Sequence, residues 1–222
     1  QRKKIATILT FLSIPLSGFM TDIYLPSFPS MARNLSVSEQ SIQLTLTCFF
    51  LSYGFSQLFV GPVADSVGRR KPMLISLAVL LLSSLAVTFT GEVLVISVLR
   101  IVQGIATAFI VVAKRAYFVD LFDDEKRKHY LSYFTIVWSC GPIIAPFLGG
   151  FLEEHLGWQS NFYFLAIYAA ILFVGELVFS GETIRNYKKF NLKKTGLLYL
   201  AMLKNPGFIL GIAVLGCAYS VV

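Results

Sequence analysis

Charge is what this sequence has least of. Only 14% of its 222 residues are charged, against 56% apolar, whereas a soluble domain carries about 25% charged residues to wet its surface. That shortage excludes an ordinary soluble globular fold. Histidine is nearly absent: His129 and His155 are the only two, both at expected loops. Nothing resembles a His-Glu-x-x-His helix or a Gly-x-Ser-x-Gly elbow, so no enzyme activity is expected. A nucleotide-binding loop is also lacking, which argues against an ATP-driven pump within this chain. Cys48, Cys140 and Cys217 lie in apolar runs without paired spacing. They read as buried fillers rather than disulfides or metal ligands, and no metal or cofactor is expected.

What is present is a series of long apolar runs. A spanning helix needs about 20 mostly apolar residues, and six runs meet that length: roughly 5–32, 40–61, 73–91, 94–116, 130–152 and 159–179. The first is too long for a cleavable signal peptide and carries Asp22 and prolines in its second half. A seventh begins near Pro206 and is still apolar at Val222, as expected of a truncated chain. The predicted organisation is an all-α polytopic membrane protein. It has a six-helix transmembrane domain over 1–179, a basic cytoplasmic linker over 180–204 and the start of a second transmembrane domain over 205–222.

The net charge of +7 is a topology signal, not a nucleic-acid-binding face. Arg2, Lys3 and Lys4 precede span 1, and Arg69, Arg70 and Lys71 separate spans 2 and 3. Lys114, Arg115, Lys126, Arg127 and Lys128 surround the end of span 4. Arg185, Lys188, Lys189, Lys193, Lys194 and Lys204 follow span 6, while the opposite loops hold only Arg33. Basic residues stay on the cytoplasmic side, so the amino terminus is predicted to be inside.

Three ionisable residues fall within spans, where charge is costly and usually functional. Asp22 reads either as an outer-interface residue before Pro26 and Pro29 or as a carboxyl lining a central cavity. Arg100 reads as a snorkelling residue at the outer end of span 4 or as the head of a polar stripe. In favour of the stripe, Gln103 and Thr107 follow Arg100 at helical spacing beside the small residues Gly104 and Ala108. Glu176, one turn from the inner end of span 6, favours an interfacial reading.

Two patterns carry mechanical content. In GPVADSVGRRKP, residues 61–72, Gly61 and Gly68 supply backbone freedom. Asp65 can accept hydrogen bonds from Arg69, Arg70 or a helix N-terminus, and Asp120 can join them, forming a cytoplasmic latch. In CGPIIAPFLGG, residues 140–150, Gly141, Ala145 and Gly149 make a close-packing stripe, and Pro142 and Pro146 bend the helix beside Gly150.

These patterns, in this order, resemble the major facilitator superfamily and its drug–proton antiporters. LRIVQG at 99–104 looks like the helix 4 signature, and GPIIAPFLGG is similar to the antiporter signature of helix 5. TDIYLPSFP at 21–29, GWQSNFYF at 157–164 and GET at 181–183 bring the chain near the Bcr/CflA multidrug-resistance branch. The resemblance implies the major facilitator fold, with this chain as its amino-terminal six-helix bundle and the start of helix 7. It also implies that Asp22 couples protons to substrate, with Arg100 as the helix 4 arginine. Some relatives carry a second acidic residue where this sequence has Ile14. Ser66 and Ala145 also depart from the generic loop and helix 5 patterns.

The expected function is export of small lipophilic or amphipathic molecules across a bacterial inner membrane, in exchange for protons and by alternating access. A dedicated exporter or importer of one endogenous metabolite is the alternative. Tyr53, Phe109, Tyr133 and Trp138, with Gln103 and Thr107, are the candidate cavity lining, and ordinary packing is the competing reading of the aromatics. The expected partners are substrate, protons, membrane lipid and the second half of the same protein. No nucleic acid is expected, and the full-length protein is expected to be a monomer.

Overall fold

The computed structural model describes residues 2–121, 124–182, 184 and 192–220. The chain divides into two compact units, Gln1–Tyr187 and Lys188–Val222. All regular structure among the described residues is helical. In a bilayer, a helix satisfies each backbone N–H and C=O within its own segment.

In the first unit, six stretches are long and apolar enough to cross a membrane: Thr7–Asn34, Glu39–Val67, Arg70–Phe89, Val93–Ala116, Ile136–Leu156 and Gln159–Phe179. They lie where hydropathy places them, with boundaries moved by a few residues. Span 1 differs in kind from its apolar run. It divides into α1 (Arg2–Ser13), α2 (Leu16–Asp22), a 3-10 turn (Leu25–Ser27) and α3 (Phe28–Asn34). Pro15 has no N–H to return to Phe11, and the Phe11 carbonyl accepts the Ile14 N–H at 3.2 Å instead. Pro26 and Pro29 are each the second residue of the following helical pieces, in the first turn, where an N–H has no partner within the helix and a missing donor costs little.

The remaining spans are α4 (Glu39–Val67), α5 (Arg70–Phe89), α6 (Val93–Leu121), α7 (Asp124–Leu156) and α8 (Gln159–Phe179). Ser38 starts α4, its hydroxyl accepting the Ser41 N–H at 3.3 Å. α7 runs as one helix through both Pro142 and Pro146. α6 packs along α4 and α5, α5 packs along α8, and α2 packs on α7. Buried Phe19, Met20, Tyr24, Phe49, Leu77 and Phe162 belong to a core shared by these helices.

Missing side chains make two of these seams. A Cβ on Gly149 would lie 1.7 Å from the Ile23 carbonyl oxygen, and one on Gly104 would lie 2.1 Å from Ser52 Oγ. The first glycine lets α7 meet the end of α2, and the second lets α6 meet α4. Ala145, in the same α7 stripe as Gly149, is fully buried.

In the second unit, α9 (Leu192–Leu203) and α10 (Pro206–Ser220) meet at a bend of 80°. α10 starts where the seventh apolar run starts, and Asn205 Oδ1 accepts the Gly207 N–H at 3.0 Å.

Candidate functional site

The polar stripe of α6 points into the bundle. Arg100, Gln103 and Thr107 are each fully buried. Arg100 does not snorkel outward: its guanidinium lies between two aromatic rings, 4.3 Å from the Tyr24 centroid and 4.6 Å from that of Phe49. Its Nη2 donates to the Met20 carbonyl at 2.7 Å, and its Nη1 donates to Gln103 Oε1 at 2.9 Å. Met20 lies in the last turn of α2, where carbonyls lose their helical donors, so the broken span provides the acceptor. Gln103 Nε2 passes the network to Ser84 Oγ at 3.3 Å, tying in α5, and Thr107 Oγ1 donates back to the Gln103 carbonyl at 2.7 Å. A delocalised, weakly hydrated guanidinium suits this setting of π faces and neutral acceptors.

Asp22 ends α2, two residues beyond the carbonyl that Arg100 holds, and is half-buried. The two side chains form no ion pair. Arg100 draws its partners elsewhere, and the carboxyl of Asp22 is left un-neutralised by it. Thr21 beside it turns its hydroxyl back to the Gly18 carbonyl at 3.0 Å.

The candidate cavity residues separate. Gln103 and Thr107 are interior to the bundle and belong to the Arg100 network. Tyr53 is half-buried and stacks on Phe49 at 5.8 Å, which places it behind the Arg100 cage. Phe109 faces away from the stripe, into an apolar groove shared by α4, α5 and α6. Tyr133 and Trp138 are exposed on α7.

In the loop between spans 2 and 3, Gly68 alone makes the turn, with φ at +93°. Gly61, expected to share that role, sits inside α4, because the helix continues to Val67. Asp65 reaches Arg69 at 3.7 Å. The free N–H groups that open α5 are taken by a different carboxylate. Glu182 accepts the Arg69 N–H at 3.1 Å and the Arg70 N–H at 3.1 Å. Arg70 Nη2 donates to the Leu177 carbonyl at 2.9 Å. The end of span 6 is thus fastened to the start of span 3. The side chains of Asp120, Lys126, Arg127, Lys128, Lys193 and Lys194, with residues 185–191, lie outside the described residues.

Glu176 is not interfacial. It is fully buried and bonded to Lys114 Nζ of α6, itself 2% exposed. Lys114, read from the sequence as a topology cation, is therefore a membrane-buried partner. Its place on the Arg100 face of α6, about four turns further along, is the signal that could have found it. Glu182 lies in the GET pattern, but nothing local marks it as the cap of a helix that starts more than a hundred residues earlier. At the other end of span 6, Asn161 Nδ2 donates to Ser27 Oγ at 2.8 Å, fastening α8 to the 3-10 turn of span 1. Among the described residues no cluster of three or more His, Cys, Asp or Glu could hold a metal.

Comparison with known proteins agrees with this architecture. The family model described as Major Facilitator Superfamily matches residues 10–222. A bicyclomycin resistance protein homolog of Haemophilus influenzae is 37% identical over 164 residues, covering 74% of this chain and 41% of that protein. Multidrug resistance protein D of Escherichia coli is 29% identical over 210 residues, covering 94% of this chain and 52% of that protein. The chain thus spans about half the length of these relatives. The crystal structure of the human organic anion transporter MFSD10 (TETRAN) superposes with a TM-score of 0.68 at 19% identity, covering 91% of this chain and 55% of that one, which is a likeness of fold. With six membrane-crossing helices in this packing, the chain is an integral membrane protein that belongs to the Major Facilitator Superfamily, on the branch of the bicyclomycin- and multidrug-resistance proteins.

Proposed function

We propose that this chain is the amino-terminal half of an exporter that expels small lipophilic or amphipathic molecules in exchange for protons, by alternating access. The observation that carries the reading is the arrangement of Asp22 and Arg100. A carboxyl within a membrane span, at the end of a broken helix, is not neutralised by the arginine that bonds the Met20 carbonyl two residues before it. Such a carboxyl is free to gain and lose a proton, and a proton there need only bias the same two-state equilibrium that substrate biases. The names of its relatives, bicyclomycin resistance and multidrug resistance, support drugs as the substrate class. The positive-inside pattern supports a cytoplasmic amino terminus, and the bacterial sources of the two relatives support a bacterial inner membrane. On this reading the Glu182 cap and the Asp65–Arg69 contact form a cytoplasmic latch that helps hold the inward end of this half together.

The test is dye efflux driven by a pH gradient in proteoliposomes of the full-length protein, wild type against Asp22→Asn. The expected result is proton-driven efflux by the wild type and its loss in the variant, which still binds dye. A variant that pumps like the wild type removes Asp22 from the mechanism. A wild type that moves no dye across a broad panel replaces the drug reading with a single-metabolite transporter.

A further inference from the structure

The loop between spans 2 and 3 is short, yet the two helices it joins pack chiefly on α6 rather than on each other. Between them lies a groove of about 370 Å3. Val63 of α4 forms one wall, Pro72, Ile75 and Val79 of α5 form the other, and Ile105 and Phe109 of α6 form the floor. Ile75 is 64% exposed at its edge, and the lining carries no charged side chain. From Pro72 to Val79 the groove extends about 10 Å along α5 at 1.5 Å per residue. That depth stays within one leaflet of a hydrocarbon core about 30 Å thick.

The mouth of the groove has the opposite chemistry. Pro72 follows directly on Arg69, Arg70 and Lys71. Arg69 is engaged with Asp65 and Arg70 with the Leu177 carbonyl, whereas Lys71 is exposed to the surroundings. An apolar slot one leaflet deep, with an exposed ammonium at its membrane-surface end, matches a molecule with a hydrocarbon tail and an anionic head. We propose that this groove is a binding site for an anionic phospholipid, its acyl chain between α4 and α5 and its phosphate on Lys71. The site lies on the face of α6 opposite the Arg100 stripe and does not depend on proton coupling. Under the orientation proposed above, the lipid belongs to the cytoplasmic leaflet.

The experiment is native mass spectrometry of the full-length protein in detergent, titrated with phosphatidylglycerol or with phosphatidylcholine of the same acyl chains. The wild type is expected to retain phosphatidylglycerol about five-fold more strongly, the equivalent of roughly 1 kcal/mol for one cation near an anionic lipid. Lys71→Gln should abolish that preference, and Lys71→Arg should keep it. Ile75→Trp, at an exposed edge position that does not threaten folding, should fill the groove and lower retention of both lipids. Equal retention of the two lipids by the wild type overturns the proposal, as does a preference that survives Lys71→Gln. Unchanged lipid binding in Ile75→Trp overturns it too, and gives the groove to another occupant such as the second half of the protein.

Discussion

Arg100 and Lys114 sit on one face of α6, about four turns apart, and both are cut off from solvent, at 0% and 2% exposure. Their surroundings differ completely. Arg100 rests between the rings of Tyr24 and Phe49 and donates to a carbonyl and an amide, all neutral. Lys114 meets the carboxylate of Glu176. The difference follows from the two cations themselves. A guanidinium spreads its charge over a plane that π faces can stabilise, and its fork suits several neutral acceptors. An ammonium is compact and strongly hydrated, so only a full counter-charge offsets its loss of water. The consequence reaches the proposed mechanism. Because the arginine needs no carboxylate, Asp22, two residues beyond the Met20 carbonyl that Arg100 holds, is on the proposed mechanism left available for a proton, whereas Glu176 is committed to its lysine.

Substitutions can break this comparison or sharpen it, with stability read as thermal unfolding of the full-length protein in detergent. The largest effect is expected from Lys114→Met, which strands the Glu176 carboxylate in the bundle and should cost about 3–5 kcal/mol. Adding Glu176→Leu to it should recover most of that loss, since a buried pair replaced by apolar groups is often neutral. If the single variant unfolds like the wild type, the pair does not support the bundle. Arg100→Met leaves only neutral partners behind, so a smaller loss of about 2–3 kcal/mol is expected. Arg100→Lys should not restore stability, because an ammonium lacks the fork and the plane. A loss matching that of Lys114→Met would erase the distinction between the two sites. Phe49→Leu, which takes away one π face and keeps an apolar side chain, is expected to cost about 1–2 kcal/mol. Glu182→Gln moves the contrast to the surface, where a carboxylate serves N–H groups instead of a cation. It should cost about 1 kcal/mol or less, and raised salt should shrink the difference.

The readings of the sequence that agree with the structure are those resting on quantities a one-dimensional pattern carries. The apolar runs place six spans because a bilayer demands a length of about 20 apolar residues whatever their neighbours are. Gly141, Ala145 and Gly149 announce a close seam because small side chains at four-residue spacing share one helical face. The Arg100, Gln103 and Thr107 stripe is legible for the same reason. Glu176 was misread because its distance from the end of the span says nothing about which way its side chain points. Gly61 was misread as a turn residue because a glycine in an apolar run serves equally well inside a helix. The breaks of span 1 were only partly legible, since Pro15 lies in a run whose hydropathy is uninterrupted.

By itself the sequence determined the class of the protein, its span count over the first 179 residues and its family. Each follows from composition, run length or contiguous motif, and none needs a partner from elsewhere in the chain. Only the tertiary structure decided which charges are neutralised and by what. Arg100 with Tyr24 and Phe49, Lys114 with Glu176, and the α5 N-terminus with Glu182 are all pairings between segments distant in sequence. The electrostatic cost of a buried charge depends on separation in space over a few ångströms, and packing of the helices, rather than order along the chain, sets that separation.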